Sequence, residues 1–276
     1  MHDEPHEIAA ENLTYTYPGM SRPALYGVSH RFRQGEFHAV LGRNGSGKST
    51  LALCLNGLIT PGEGRVLSCG LDTSVPTNAS EIRKQVAIVF QTPDTRMVGS
   101  TVEEEVAFGP ENLGLSPLVI RKRVDEALEL AGIEDIARRQ PQQLSLGQKQ
   151  LVAVAGAIAM EPSFLISDES TSMLDVRSRA GVLKLFADLQ ERGVGIVHVT
   201  HFLEEAAIAD QVVILESGRI AGTGPPGELL SDPTRVRNLG LDPLPATMVA
   251  EELAALGHHT GGYILTAEEL LLWSRA

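Results

Sequence analysis

Apolar residues come first in short runs and later at helical spacing. Phe37–Leu41 is a brief apolar run that stops at a Gly-rich turn, and Gly64–Cys69 and Val86–Phe90 are further runs of strand length. Helical spacing then takes over. Ile120, Val124, Leu128 and Ala131 share one face, Ser116-Pro117 opens that helix and Gly132 closes it. Leu146–Met160 reads as a buried helix, and strands return at Phe164–Ser167, Gly195–Thr200 and Val212–Glu216. Strands alternating with helices predict a parallel sheet covered on both faces. From about Gly224 prolines divide the chain into short pieces, with helices expected near Ala246–Leu256 and Thr266–Trp273. The second opens on a capping box, Thr266 with Glu269.

Composition sets limits on this picture. A chain of 276 residues suits one large α/β domain with an appendage, and 43% hydrophobic residues suffice for its core. The net charge of −12 argues against a nucleic-acid partner, which would ask for a basic face. Cys54 and Cys69 have neither metal-ligand nor disulfide-framework spacing and are expected to be reduced thiols. No apolar leader follows Met1, and Leu151–Met160 is about half the length of a bilayer crossing, so any membrane role must come through a partner.

The strongest chemical signal is Gly42-Arg43-Asn44-Gly45-Ser46-Gly47-Lys48-Ser49, between a predicted strand and a predicted helix. The glycines allow successive N–H groups to turn inward around phosphate oxygens, and the following helix aims its N-terminus at the same anion. Lys48 is expected to reach the β- and γ-phosphates, and Ser49 to offer its hydroxyl to Mg²⁺; Thr50 completes the nucleotide-binding set. A second signal is the apolar strand ending in Asp168-Glu169. Asp168 is expected to hold Mg²⁺ through water and Glu169 to polarise the attacking water as general base. These two signals alone define a P-loop nucleotide hydrolase.

Further residues narrow the class. Leu144-Ser145-Leu146-Gly147-Gln148 resembles the signature of ABC ATPases, Gln91 stands where their Q-loop glutamine does, and Ser172-Met173-Leu174-Asp175 resembles their D-loop. His201 resembles their switch histidine. Tyr17 lies where an aromatic ring stacks on adenine, although a buried strand residue is an equal reading. The stretch Gln91–Asn112 and the tail Gly240–Thr266 are similar to the ATPases of energy-coupling factor (ECF) transporters.

The resemblance implies a P-loop NTPase (RecA-like) α/β core over residues 7–224, with an antiparallel β subdomain and a helical subdomain at about 92–160. A C-terminal module, 225–276, would serve dimerisation. The implied function is ATP hydrolysis powering uptake of a vitamin or other micronutrient, with cobalt or nickel import as the alternative. In a head-to-tail dimer, Ser145, Gly147, Gln148 and Asp175 of one chain would complete the site that ATP and Mg²⁺ occupy on the other. Gln91 would sense the γ-phosphate beside the metal. The implied partners are a second ABC ATPase, a transmembrane coupling protein and a membrane substrate-binding subunit, which would place the chain at the cytoplasmic face of the cell membrane.

Three residues depart from the family pattern. Leu146 replaces a signature glycine, Leu151 stands where a polar residue is common, and Ser170 where many relatives have proline. Leu146 could crowd the nucleotide or forbid a backbone angle, so a heterodimer with unequal sites is expected. Remaining candidates read as structural. His258-His259 forms a solvated turn before Gly261-Gly262, His2 and His6 lie in a frayed terminus, Trp273 packs in the tail helix, and Glu103–Glu105 form a solvated helix face. The interval from Gln91 to Ser145, 145 − 91 = 54 positions, carries no sustained heptads, which sets the chain apart from chromosome-maintenance ABC ATPases.

Overall fold

The chain runs β1 (Glu7–Tyr15), β2 (Leu25–Arg33), β3 (Phe37–Leu41), α1 (Lys48–Leu55), β4 (Glu63–Ser68), β5 (Leu71–Asp72), α2 (Ala79–Gln85) and β6 (Val86–Phe90). Three longer helices follow, α3 (Val102–Asn112), α4 (Pro117–Ala131) and α5 (Leu146–Ile158). The second half alternates β7 (Phe164–Asp168), α6 (Val176–Glu191), β8 (Gly195–Val199), α7 (Leu203–Ala206), β9 (Gln211–Glu216) and β10 (Arg219–Gly224). The tail holds α8 (Pro226–Leu230), α9 (Pro233–Asn238), α10 (Pro245–Ala255) and α11 (Ala267–Trp273). These elements come from a computed structural model that describes residues 6–93, 97–258 and 262–274. Asp94, Thr95 and Arg96 of the ECF-like stretch, and the expectations for His2, His259 and Gly261, lie outside the described residues.

The main sheet has the order β10-β9-β3-β8-β7-β6, parallel except for the edge strand β10. Its inner strands are apolar along their whole length; all five residues of β3 and of β8 are buried. That pattern belongs to a sheet covered on both faces. One face packs α5, α6 and the helical layer, with Leu165, Phe186 and Val152 in one core. The other packs α1 and the second sheet, β2-β1-β4-β5, with Phe32, Leu55 and Phe164 in a second core. The second sheet is antiparallel throughout.

Register puts the chemistry at one edge. Asp168 at the end of β7 lies level with Phe90 of β6 and Val199 of β8, and Val199 lies level with Val40 of β3. The loops leaving the C-terminal ends of β3, β6, β7 and β8 therefore emerge together, as the ligand crevice of an open parallel sheet does. Between Gln91 and Ser145 the chain forms α3 and α4, of 11 and 15 residues, and not a long coiled coil. Among the described residues no helix is long and apolar enough to cross a membrane.

Helix boundaries follow local chemistry. Gly132 closes α4 in the left-handed region at φ 64°, and Thr266 with Glu269 forms the expected capping box of α11. Two expectations need correction. His6 does not fray: its N–H donates to Gln34 Oε1 at 3.0 Å and its carbonyl accepts from Gln34 N at 3.0 Å. Glu103–Glu105 are more than a solvated face, because the N-terminus of α3 recruits them. Glu104 caps it with Thr101, Glu105 accepts from the N–H groups of Val98 and Gly99, and Glu103 pairs with Arg121. Cys54 and Cys69 are free thiols, pushed up to about 12 by burial.

A histidine pair was not legible in the sequence. His38 on β3 is 2% exposed, its Nδ1 lies 3.5 Å from His30 Nε2 on β2, and the Arg33 N–H donates to its Nε2 at 3.3 Å. Burial above all lowers both to about 4, aided by Arg33 and, for His30, by the charge of His38; Asp210 and Glu36 oppose it in part. The unfolded chain takes up these protons near the ordinary value of 6.5. Stability is thus full above that pH and lost as pH falls from 6.5 towards 4, on the order of 3 kcal/mol for His38 alone. Thermal unfolding at pH 7.5 and pH 5 is expected to show the loss, and His38→Phe to shrink it.

Candidate nucleotide site

The loop from Gly42 to Gly47 is built on backbone angles that side chains resist. Gly42, Gly45 and Gly47 have φ of 152°, 78° and 106°. A Cβ on Gly42 would stand 2.3 Å from the Leu215 carbonyl oxygen, and one on Gly47 would stand 2.5 Å from that of Ala24. The glycines are therefore required by contact as well as by conformation. Ser46 keeps a buried hydroxyl with no hydrogen-bond partner among the described residues, so the loop holds an unsatisfied polar group. α1 starts directly behind it, with Gly47 as N-cap and no side chain capping the helix, which leaves its first N–H groups available to an anion.

Lys48 is 4% exposed, and its Nζ donates to the carbonyls of Gly42 (2.8 Å) and Arg43 (3.2 Å). It also lies 3.5 Å from Glu169 Oε1. Ser49 Oγ donates to Asp168 Oδ1 at 2.8 Å. A hydroxyl beside a carboxylate is a hard-oxygen pair of the kind Mg²⁺ takes, so the residues fit that ion. Gln91 Nε2 donates to Ser172 Oγ at 2.8 Å, and Ser172 Oγ donates to the Glu169 carbonyl at 2.8 Å. The structure thus joins Lys48, Ser49, Gln91, Asp168 and Glu169 at one sheet edge. His201 follows β8 at the same edge, with a buried Nδ1 that has no partner among the described residues.

Tyr17 lies beyond the end of β1, 38% exposed, its hydroxyl 3.2 Å from Thr50 Oγ1 and its ring edge-on to Tyr15. It is not a buried strand residue; its hydroxyl borders the first turn of α1.

The signature segment is capped within its own first turn. Ser145 is the N-cap of α5. Its hydroxyl accepts from Gln148 N, and Gln148 Oε1 accepts from Ser145 N. Such a box stabilises a helix by about 1 kcal/mol. Leu146 does not take a positive φ, and its side chain packs against its own core. The leucine therefore imposes no backbone strain. Gly147 has a separate reason to be glycine: a Cβ there would stand 2.3 Å from Ser178 Oγ on α6. Ser178 Oγ donates to Asp175, which also caps α6 by accepting from Arg177 N and Ser178 N. Those bonds, the Ser178 ones first, hold the Asp175 carboxyl below its ordinary range.

Sequence reasoning missed two groups. Gln150 on α5 is fully buried and donates to the Phe90 carbonyl at 3.3 Å, linking the signature helix to the residue before Gln91. Glu205 on α7 is 1% exposed and joins the loops after β7 and β8. Burial alone would raise its carboxyl, but the hydrogen bond and charge of His198, with those of Thr200 and Thr171, outweigh that and hold it below the ordinary range.

Comparison with known proteins gives the family of the chain. The family model described as "ABC transporter" matches residues 25–172. The chain belongs to the ABC transporter family. Within it, the chain is 48% identical over 272 residues to the energy-coupling factor transporter ATP-binding protein EcfA1 of Symbiobacterium thermophilum, covering 96% of this chain and 95% of that one. Among solved structures, CbiO1 of Clostridium perfringens, part of the ABC transporter complex CbiONQ, superposes with a TM-score of 0.78 at 34% identity, over 92% of this chain and 98% of that one. The dimeric ATP-binding cassette MJ0796, in a post-hydrolysis state with ADP and phosphate, superposes with a TM-score of 0.72 at 30% identity, over 79% and 98%. The ABC fold therefore extends well past the segment that the family model matches.

Proposed function

We propose that this chain is the ATP-hydrolysing subunit of an ECF-type importer, working from the cytoplasmic face of the membrane. The observation that carries the reading is the convergence of Lys48, Ser49, Asp168 and Glu169 at the end of β3 and β7. Lys48 and the loop N–H groups bind the β- and γ-phosphates of ATP. Ser49, Asp168 and Gln91 hold Mg²⁺, which when bound neutralises phosphate charge. Glu169 accepts the proton of the attacking water, and His201, whose buried Nδ1 has no partner among the described residues, contacts the γ-phosphate. Tyr17 stacks on the base.

The signature acts on a second chain. Among the described residues Ser145 bonds only within its own first turn, so its hydroxyl and the N–H of Gly147 are placed to cap a phosphate brought by a partner. The dimeric state of MJ0796 with ADP and phosphate supports a dimer of ATPase chains, and the head-to-tail arrangement is part of this reading. The C-terminal module contributes a second contact between chains: α10 and α11 expose Met248, Val249, Leu271 and Leu272, more apolar surface than short helices leave to water without reason. The assembly in this reading is a heterodimer whose two sites differ, the half-buried Leu146 acting through contact with the partner and not through strain in this chain. A groove lined by Leu58, Arg83, Ile88, Pro93, Met97 and Phe108 opens beside Gln91 and receives the transmembrane coupling protein, so that contact with the γ-phosphate and with the membrane partner share one loop.

The cargo is a micronutrient selected by a membrane substrate-binding subunit, a vitamin as the first choice and cobalt or nickel as the second. Purification of the tagged chain from detergent-solubilised membranes tests the assembly. The expected result is recovery with two integral membrane proteins and one equivalent of a different ATPase. Recovery as a homodimer refutes the heterodimer, and recovery without membrane proteins refutes the importer.

A further inference from the structure

The two acids at the end of β7 sit on a strained turn. Glu169 has φ 51°, a left-handed conformation that a residue with a Cβ resists. Such a conformation persists only where its surroundings over-determine it. Its N–H donates to the Val199 carbonyl at 3.0 Å, and its carbonyl accepts from Ser172 N at 3.1 Å.

Side chains on both flanks close the turn. Ser167 Oγ, before the two acids, lies 2.6 Å from Ser170 Oγ, after them. Ser167 Oγ also lies 2.9 Å from His198 Nδ1, and His198 Nε2 lies 2.7 Å from Glu205 Oε2. The same oxygen accepts from Thr171 Oγ1 at 3.0 Å and from the Thr200 hydroxyl. Arg179 Nε stands 3.5 Å from the other oxygen, Oε1. A carboxylate only accepts, so Thr171, Thr200 and His198 Nε2 must all donate. Ser170, Ser167, His198 and Glu205 thus form one continuous chain of hydrogen bonds. A proline at position 170 could not enter this chain.

We propose that Glu205 is a positioning residue for hydrolysis, which through Thr171 and through His198, Ser167 and Ser170 holds the left-handed turn that presents Glu169, and through Thr200 fixes the start of the His201 loop. This rests on the reading that Glu169 acts as the general base. Glu205, Thr171, Thr200, His198, Ser167 and Ser170 are nearly or wholly inaccessible, at 0–1% exposure, so the network acts beneath the site and not on the nucleotide. Its loss shifts the base relative to the attacking water without removing any phosphate contact, and the effect falls on kcat.

The test measures ATP turnover of the assembled complex carrying Thr171→Val, Thr171→Ser or Glu205→Gln, with Glu169→Gln as reference. Thr171→Val and Glu205→Gln are expected to lower kcat at least tenfold with KM for ATP within threefold of wild type, and Thr171→Ser to recover most of the rate. The proposal is overturned if Thr171→Val keeps kcat within twofold, if Thr171→Ser is as slow as Thr171→Val, or if kcat falls only alongside a proportional rise in KM. Should Glu205→Gln fail to fold, the Thr171 pair decides. Normal turnover in Glu169→Gln would remove the underlying reading instead, whatever the Thr171 variants do.

Discussion

Glu169→Gln in the assembled complex is expected to cut steady-state ATP turnover at least 100-fold while ATP stays bound and the chains stay closed around it. The amide has the shape of the carboxylate and inherits the same left-handed backbone at φ 51°. What it loses is the capacity to accept a proton, and a positioned general base contributes about 10²- to 10⁴-fold. It also loses the charge that faces Lys48 Nζ at 3.5 Å. That contact opposes phosphate binding, because the carboxylate competes for the ammonium and repels the anion. Affinity for ATP should therefore hold or rise as turnover falls. A phosphate-release assay paired with nucleotide binding separates the two effects. A subunit that binds ATP without hydrolysing it would show no change in transport.

Lys48→Ala should act on the other half of the cycle and weaken ATP binding by about 100-fold, near 3 kcal/mol. The ammonium is almost fully buried and held by two loop carbonyls, so it is preorganised where the terminal phosphates arrive. Charge-assisted hydrogen bonds of this kind are roughly twice as strong as neutral ones. Lys48→Arg should not restore binding. A planar guanidinium is wider than an ammonium, and Gly42 and Gly47 already leave no room for one methyl group. Titration with a fluorescent ATP analogue measures both variants.

Much of this site was legible because it is local. The glycine loop, its lysine and serine, and the two acids after an apolar strand each declare themselves within a few residues, and their order along the chain carried the family resemblance. The parallel core was legible for a related reason: strands buried on both faces are apolar throughout, as β3 and β8 are. The strands β1 and β2 and the pairing of β1 with β4 were not, since a half-exposed sheet alternates weakly and its register depends on bulges near Ala10 and Leu13.

The hidden parts are those that exist only after folding. Glu205 reads as one more acid on a short helix, yet it meets Thr171, a residue 34 positions earlier. Gln150 reaches Phe90 across 60 positions. Gly147 looks like a signature glycine kept for a nucleotide, while its nearest neighbour is Ser178 of its own chain. Leu146 shows the same limit from the other side. Its backbone proves ordinary and its side chain turns towards the core, so any difference between the two composite sites must come from contact with a partner and not from strain within this chain.

The most direct measurement is a cryo-EM structure of the assembled complex carrying Glu169→Gln with Mg²⁺ and ATP. The expected density has the γ-phosphate touching Lys48 on one side and the capping serine of the neighbouring ATPase's signature helix on the other. A nucleotide bound away from Lys48, or with solvent alone beyond its last phosphate, would contradict the account.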